Sequence, residues 1–296
     1  MYVIKMKSII SYLAVIALII ASFGIINISR KNAGELTAVA TEEAVDGVCV
    51  PIIMYHNILK TNKKDGRFIV TASQLEEDLA YLEKNGYSTV VMDDLVNYVY
   101  NNKPLPEKPI VLTFDDGYYN NYVYAYPLLK KHNFKGVLSI IGYYTDMYSE
   151  NGEKNEKYSH VTWDDVKEMT SSGVIEIQNH SYNLHSLDKG RNGSKKKKGE
   201  SKEAYGKMLS EDLGKLQSEL KEHLEITPST YTYPFGSVSE DSYKIVKDMG
   251  FKCSLSCESG INVVSKDKNC LYMMKRCIRT PSSSVEQILN KICEKN

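Results

Sequence analysis

The sequence lacks the patterns that would assign it to several common classes of protein. Its 37 Lys and Arg residues are balanced by 37 Asp and Glu residues, so we expect no nucleic-acid partner. It has no pair of Cys-x-x-Cys units, which excludes a zinc ribbon. It also has no His-Glu-x-x-His sequence, which argues against that class of metalloprotease. No internal repeat is found.

Long apolar runs are scarce, and one stands out near the amino terminus. Ile9 to Ile28 contains no charged residue, and a helix of that length spans about 30 Å, the thickness of a bilayer's hydrocarbon core. Residues 1–31 are therefore predicted to be a single-pass membrane anchor or a signal segment, followed by a polar linker at 32–48. An uncleaved anchor is favoured, because the small residues at 38–40 lie too far away for a cleavage site.

In either case residues 49–296 are expected on the extracellular side, with secretion after cleavage as the less favoured alternative. Export permits disulfides, and the six cysteines lie at positions 49, 253, 257, 270, 277 and 293. They allow 15 connectivities, among which the sequence does not choose. Buried free thiols and one or two bridges both remain open.

Strands and helices alternate along most of the exported part. Alternation predicts parallel strands covered by helices, in an open doubly wound sheet or a barrel. Sites in such folds form at the carboxyl ends of the strands. Polar or turn residues follow four predicted strands there: His56, Asp115-Asp116, His180 and Phe235-Gly236. The main predicted helices cover 71–85, 93–100, 118–132 and 203–224, and the main predicted strands cover 50–55, 109–114, 136–141, 174–178, 230–233 and 271–277.

The stretch from Pro109 to Gly117 is the centre of the prediction. An apolar strand ends at two adjacent carboxylates, whose side chains diverge, and Gly117 allows a tight turn beside them. Taken alone, Asp-Asp-Gly is also typical of a polar turn.

His180 and His185 follow another strand and lie five residues apart. Two imidazoles and one carboxylate form a common environment for a catalytic divalent metal, zinc especially. The spacing alone is weak support for a metal site, because it is not that of a helical zinc motif.

Three motifs occur in a fixed order: TFDDG at 113–117, NHSYNLH at 179–185 and YPFG at 233–236. Together with VPIIMYHNI at 50–58 they resemble the polysaccharide deacetylases, carbohydrate esterase family 4. The opening motif is similar to that of the branch that includes poly-N-acetylglucosamine deacetylases. The resemblance covers about 49–280. It implies a distorted (β/α)7 barrel after the N-terminal transmembrane helix, with 49–296 as the catalytic domain.

The resemblance also implies an activity: a metal-dependent hydrolase that removes N-acetyl groups from N-acetylglucosamine-type residues of a cell-surface polysaccharide or peptidoglycan. Asp115 resembles the general base that activates water. Asp116, His180 and His185 resemble the metal ligands, with Zn²⁺ as the favoured ion. The backbone N–H of Phe235 would help to hold the oxyanion, and His56 would protonate the leaving amine.

The sequence departs from the family pattern in two places. The arginine that many members carry before Pro-x-Gly is absent, and Tyr231 or Tyr233 stands in that region. Arg276 is the candidate that would orient the base instead. The late Leu-x-His motif is also missing, so His56 is the remaining candidate for the acid.

Simpler interpretations of these residues stay open at this point. His56 could end a strand, Arg276 could form a surface ion pair, and the Phe235 side chain could be plain core. An inactive wall-carbohydrate-binding module and an O-acetyl esterase with the same site are the alternative functions. A module that has lost its activity has no need of the base, and Asp115 is present.

Overall fold

The computed structural model describes residues 47–61, 66–187 and 190–293. The predicted anchor at 1–31 and most of the predicted linker lie outside the described residues. Within the described ranges, no helix has the length and apolar character needed to span a bilayer. Among the side chains that the structure describes, five cysteines are free thiols: Cys49, Cys253, Cys257, Cys270 and Cys277.

Twelve short strands and eight α-helices are described in these ranges. The strands are β1 (Val48–Val50), β2 (Ile52–Tyr55), β3 (Asn57–Leu59), β4 (Ile69–Thr71), β5 (Ser88–Thr89), β6 (Pro109–Phe114), β7 (Gly136–Ile140), β8 (Ile175–Asn179), β9 (Thr230–Thr232), β10 (Cys253–Leu255), β11 (Asn262–Val264) and β12 (Cys277–Ile278). The helices are α1 (Ala72–Lys84), α2 (Met92–Asn101), α3 (Tyr126–Lys131), α4 (Gly142–Asn151), α5 (Trp163–Ser171), α6 (Lys202–Leu224), α7 (Glu240–Asp248) and α8 (Val285–Cys293).

One curved parallel sheet organises the domain. Its strands lie in the order β10-β9-β8-β7-β6-β2-β12, every neighbouring pair is parallel, and β5 adds to β6 at one end. An isolated parallel bridge also joins Leu255 of β10 to Met274, in the chain before β12. The predicted α/β class with parallel strands is confirmed, in the form of a parallel half-barrel.

The two faces of β6 show how the sheet separates the core from the site. Leu112 and Phe114 belong to the larger apolar cluster, which packs the sheet against the helices. Val111 belongs to a second cluster, because successive side chains of a strand point to opposite faces. Thr113 lies on that second face close to the site, and its hydroxyl donates to the Ile53 carbonyl at 3.0 Å.

Helix α1 begins as its sequence predicts. The Thr71 hydroxyl accepts the Gln74 N–H, and the Gln74 side chain in return accepts the Thr71 N–H, which completes the predicted capping box. Leu75, Leu79 and Leu82 are fully buried on one face. These leucines belong to the larger apolar cluster, so this helix packs against the sheet.

Two predicted elements differ in the structure. The strand predicted at 271–277 is wrong: 271 ends a 3₁₀ turn, and only Cys277–Ile278 joins the sheet. Met273 has a φ of 58°, a left-handed conformation that no strand accommodates. The helix predicted at 118–132 begins with a π-helical turn, Asn121–Ala125, and continues as α3. Pro127 lacks the N–H that a regular α-helix requires at that position.

Candidate active site

The predicted site residues meet at the carboxyl ends of the parallel strands. Six of them line one cavity of about 530 Å³: His56, Asp115, Asp116, His180, His185 and Phe235. Backbone hydrogen bonds to neighbouring strands fix the positions of these residues along the sheet. The Asp115 N–H donates to the Tyr55 carbonyl and the His180 N–H donates to the Ile140 carbonyl, both at 3.0 Å. The parallel register therefore brings residues far apart in sequence into one small volume.

Asp116, His180 and His185 form a cluster suited to a metal ion. Their ligand atoms all lie within 4.8 Å of one another. Asp116 Oδ1 is 3.3 Å from His180 Nε2 and 3.1 Å from His185 Nε2. This oxygen is buried and has no hydrogen-bond partner, because neither contact has hydrogen-bond geometry. A divalent cation would satisfy it, so the residues fit the metal that the sequence predicts.

The ring of His180 is held in the orientation that a ligand needs. Its Nδ1–H donates to the Thr232 carbonyl at 2.8 Å, which leaves the Nε2 lone pair directed toward Asp116. Metal-binding histidines usually donate their other ring N–H in this way, which fixes the tautomer. This carbonyl belongs to β9. In the sheet β9 lies next to β8, the strand that His180 follows.

The charges of this cluster are strongly coupled. Burial raises the pKa of Asp116, but His180 and His185 outweigh it and hold the pKa below its usual range. Burial and the neighbouring His180 lower the pKa of His185 to about 4, so this imidazole is neutral. Burial lowers the pKa of His180, but Asp116 and Asp115 outweigh it and the net direction is upward. The site therefore attracts positive charge, as expected where a cation binds.

The loop between the two histidines is clamped onto α6 by Asp212. One carboxylate oxygen accepts the Tyr182 N–H at 2.8 Å and the other accepts the Asn183 N–H at 2.9 Å. Asn179 adds a second tie, since its Oδ1 accepts the Ser181 N–H at 2.8 Å. These bonds fix the path of the chain from His180 to His185. Asp212 was not predicted, because an acidic residue in a long polar helix carries no local signal of such a role.

Three residues of the site have left-handed backbone conformations. The φ angles are 72° at Asp116, 76° at Ser181 and 56° at Phe235. Such values are uncommon for residues other than glycine and cluster at functional sites. Gly117 follows Asp116 with a φ of 73°, as the tight turn predicted from the sequence requires. The backbone thus turns sharply where β6, β8 and β9 present their side chains.

Asp115 is held by Arg276 in a bidentate ion pair. Arg276 Nη1 lies 2.7 Å from Oδ1 and Nη2 lies 2.9 Å from Oδ2. Arg276 is fully buried, so it is not the surface ion pair that remained open from the sequence. Its Nε also donates to the Ser256 carbonyl at 2.8 Å. Burial raises the pKa of Asp115, but Arg276 and His180 outweigh it, and the carboxylate stays ionised.

The two tyrosines that stand near the position of the missing arginine do not replace it. Tyr231 and Tyr233 are buried in an apolar cluster with α6 and α7. The Tyr233 hydroxyl pairs with the Ser242 hydroxyl at 3.0 Å. Arg276, from the chain just before β12, reaches Asp115 instead. The candidate named from the sequence thus contacts the predicted base, although the strand predicted around it is wrong, and its orienting role stays a prediction.

His56 directly follows β2, and β2 is the neighbour of β6, the strand that Asp115 follows. Its Nε2 lies 4.0 Å from Asp115 Oδ2, and the Phe68 ring packs on it with centroids 4.7 Å apart. Burial lowers the pKa of His56, and the nearby Asp115 and Asp116 oppose that shift without reversing it. The Nδ1 atom is buried without a hydrogen-bond partner. His56 is therefore part of the cavity wall and not simply the end of a strand.

Phe235 occupies a tight turn after β9. The Gly236 N–H donates to the Tyr233 carbonyl and the Ser237 N–H donates to the Pro234 carbonyl, both at 3.0 Å. The Phe235 side chain is 46% exposed and packs on His185 with ring centroids 4.1 Å apart. It is not plain core, as one interpretation of the sequence allowed. Its backbone N–H remains the predicted oxyanion donor.

Known proteins resemble the chain in sequence and structure. It is 27% identical over 228 residues to the poly-beta-1,6-N-acetyl-D-glucosamine N-deacetylase of Escherichia coli, an alignment that covers 71% of this chain and 34% of that protein. The chain thus spans about a third of that relative's length. It is 25% identical over 232 residues to the Staphylococcus aureus protein of the same name, covering 74% of this chain and 75% of that protein.

Among solved structures, IcaB from Ammonifex degensii is similar, with a TM-score of 0.68 and 26% identity over 83% of this chain and 96% of that chain. A family model for "Polysaccharide deacetylase" matches residues 102–254, just over half of the 296 residues. The matched range contains the three candidate metal ligands, Asp115 and Phe235. The resemblance recognised in the motifs is confirmed, and the chain belongs to the polysaccharide deacetylase family.

Proposed function

We propose that the protein is a metal-dependent deacetylase that removes N-acetyl groups from N-acetylglucosamine-type residues of a polysaccharide. One observation carries the proposal: a buried carboxylate, Asp115, fixed by Arg276, lies beside the Asp116, His180 and His185 cluster in one open cavity. The reaction needs a base, a cation and access for a polymer, and the cavity supplies all three. The named activity of the similar E. coli and S. aureus proteins supports this substrate class.

Asp116, His180 and His185 would hold the metal. When bound, a divalent ion there polarises the acetyl carbonyl and makes water more acidic. Zn²⁺ is the favoured ion, because two imidazoles and one carboxylate are a frequent catalytic zinc set. Asp212 and Thr232 keep the two histidines in place through the loop and the ring.

Asp115 takes a proton from the attacking water as that water bonds to the acetyl carbon. Its two oxygens are both held by Arg276, so it cannot rotate away, and it stays ionised in a buried site. The Phe235 N–H donates to the oxygen that gains negative charge. His56 donates a proton to the amide nitrogen as the C–N bond breaks, which yields acetate and a free amine.

The setting of the reaction is also proposed. The uncharged run from Ile9 to Ile28 supports a single-pass anchor with the catalytic domain outside the cell. Peptidoglycan and an exopolysaccharide both suit an enzyme in that place. The order of seven parallel strands in one sheet supports a distorted (β/α)7 barrel as the finer description of the fold.

Two other functions make different demands. An inactive carbohydrate-binding module would need neither the ionised Asp115 nor its buried arginine. An O-acetyl esterase expels an alcohol, which depends less on protonation by an acid than a leaving amine does. The presence of His56 therefore favours the amide reaction. Acetate release separates the three functions.

The first prediction is that the purified full-length protein releases acetate from N-acetylglucosamine oligosaccharides or peptidoglycan and much more slowly from acetylated xylan. Activity should vanish with a chelator and return with Zn²⁺, because the cation polarises the carbonyl. Enzymatic measurement of acetate is sufficient. Release from xylan alone would support the esterase, and no release from any substrate would support the binding module.

The second prediction concerns the metal ligands. His180→Ala and His185→Ala should each lower the metal content per protein to background, since each removes one of three ligands. Elemental analysis, with circular dichroism to verify folding, is the measurement. His132→Ala is the matched control, because His132 pairs with Glu83 outside the cavity. Full metal retention in both variants would remove these residues from the ligand set.

The third prediction concerns the proton donor. His56→Ala should keep the metal and lower kcat/KM for an N-acetylglucosamine oligosaccharide by about 10²–10⁴-fold. An aryl acetate expels a leaving group that needs no proton, so its hydrolysis should fall far less. The ratio of the two losses is the readout, with His132→Ala again as control. Equal losses on both substrates would make His56 structural.

A further inference from the structure

The proposed proton donor, His56, is not held in place by hydrogen bonds to its own ring. Within the described chain, its buried Nδ1 atom has no hydrogen-bond partner, and its Nε2 atom lies 4.0 Å from Asp115 Oδ2, beyond hydrogen-bonding distance. The Phe68 ring packs on the imidazole, but such a contact does not fix the direction of an N–H group. The placement of the imidazole therefore depends on the chain that carries it.

The carboxamide of Asn120 holds the chain directly after His56. Its Oδ1 accepts the Ile58 N–H at 3.0 Å, and its Nδ2 donates to Asn57 Oδ1 at 2.9 Å and to the Glu156 carbonyl at 3.0 Å. Both N–H groups and the oxygen of this side chain are thus used. The backbone N–H of Ile58 can only donate, so the atom that faces it is the oxygen, and the amide has one orientation.

Burial makes these three bonds difficult to give up. Asn120 is fully buried, and a buried polar group that loses its partner is strongly unfavourable. Asn121, the next residue, provides a contrast. It is also buried, but neither polar atom of its side chain has a hydrogen-bond partner in the described part of the chain. The restraint on the chain after His56 therefore comes from the bonds of Asn120 and not from burial of an amide in this turn.

Asn120 joins the two parts of the cavity wall that carry the proposed base and the proposed acid. It lies in the turn that leaves β6, five residues after Asp115, and its partners at positions 57 and 58 begin β3, directly after His56. The pairing of β2 with β6 ends at Tyr55 and Phe114, so it does not extend to His56. The carboxamide of Asn120 thus adds a tie at the point where the strand pairing stops.

We infer that Asn120 is a positioning residue for the proton-transfer step. It holds the chain at 56–58 so that the His56 imidazole reaches the amide nitrogen of the substrate. Asn120 is not part of the lining of the catalytic cavity, so it acts through His56 and not on the reacting atoms. The inference rests on the proposed function, because it requires His56 to be the proton donor.

The test compares full-length Asn120→Ala with the wild type, both loaded with Zn²⁺, on an N-acetylglucosamine oligosaccharide and on an aryl acetate. Loss of the tie should lower kcat/KM for the oligosaccharide by about 10–10²-fold, the cost of a misplaced catalytic group. The aryl acetate expels a leaving group that needs no proton, so its hydrolysis should fall far less. Metal content and circular dichroism should match those of the wild type. Equal losses on the two substrates would overturn the inference.

A double-mutant cycle shows whether Asn120 acts through His56. In the His56→Ala background, Asn120→Ala should lower kcat/KM for the oligosaccharide no further, because no imidazole remains to be placed. Losses that multiply in the double variant would contradict the inference, since they would show that Asn120 contributes independently of His56, as a residue with a purely structural role does.

Asn121→Ala is the matched control, because it removes a buried carboxamide of the same size that bonds to no described residue. Both activities should stay close to those of the wild type. A loss on the oligosaccharide as large as that of Asn120→Ala would attribute the effect to a general loosening of the turn and overturn the inference.

Asn57→Ala is the second variant if Asn120→Ala does not fold, since it removes only one of the three bonds. It should lower the ratio of oligosaccharide to aryl acetate activity in the same direction, without a further loss in the His56→Ala background. An unchanged ratio would contradict the inference.

The failure of this inference and the failure of the proposed function are distinguishable. If His56→Ala lowers both activities equally, the proton-donor role falls and the inference falls with it. If His56→Ala affects the oligosaccharide selectively but Asn120→Ala does not, the inference alone is overturned and the proposed function stands.

Discussion

The buried ion pair between Asp115 and Arg276 is the interaction on which the site depends. Asp115 is 2% exposed and Arg276 is fully buried, and neither charge is tolerable in such a place without the other. Their pairing joins β6 to the chain before β12, and the bond from Arg276 to the Ser256 carbonyl adds the end of β10. The interior face of the sheet accommodates this arginine because Thr113 there is small and polar.

The pair also decides how two adjacent acids can have different tasks. Arg276 occupies both oxygens of Asp115, so that carboxylate stays ionised and is held in one orientation. Asp116 has no such partner, and its buried Oδ1 faces His180 and His185. The left-handed turn at Asp116 allows the two neighbouring carboxylates to have different partners, since an extended backbone would continue the strand beyond the cavity. Neighbouring residues thus serve proton transfer and cation binding.

Much of this arrangement is readable from the sequence, for definite reasons. The alternation of elements places strand ends together, so Asp115, His180 and Phe235 converge once the strands are parallel. The capping box at Thr71 is a local signal and appears as predicted. Helix α4 is not evident from the sequence, because Gly142, Thr145 and Tyr148 are its buried residues and form no aliphatic stripe.

The central claim is that Asp115 is a base and not a metal ligand, and one variant tests it directly. Asp115→Asn should keep the shape of the site and the bond to Arg276 through one oxygen, while removing the charge that accepts the proton. We expect wild-type metal content and a kcat/KM for acetate release lower by about 10²–10⁴-fold. Loss of the metal in this variant, or activity close to that of the wild type, would contradict the account.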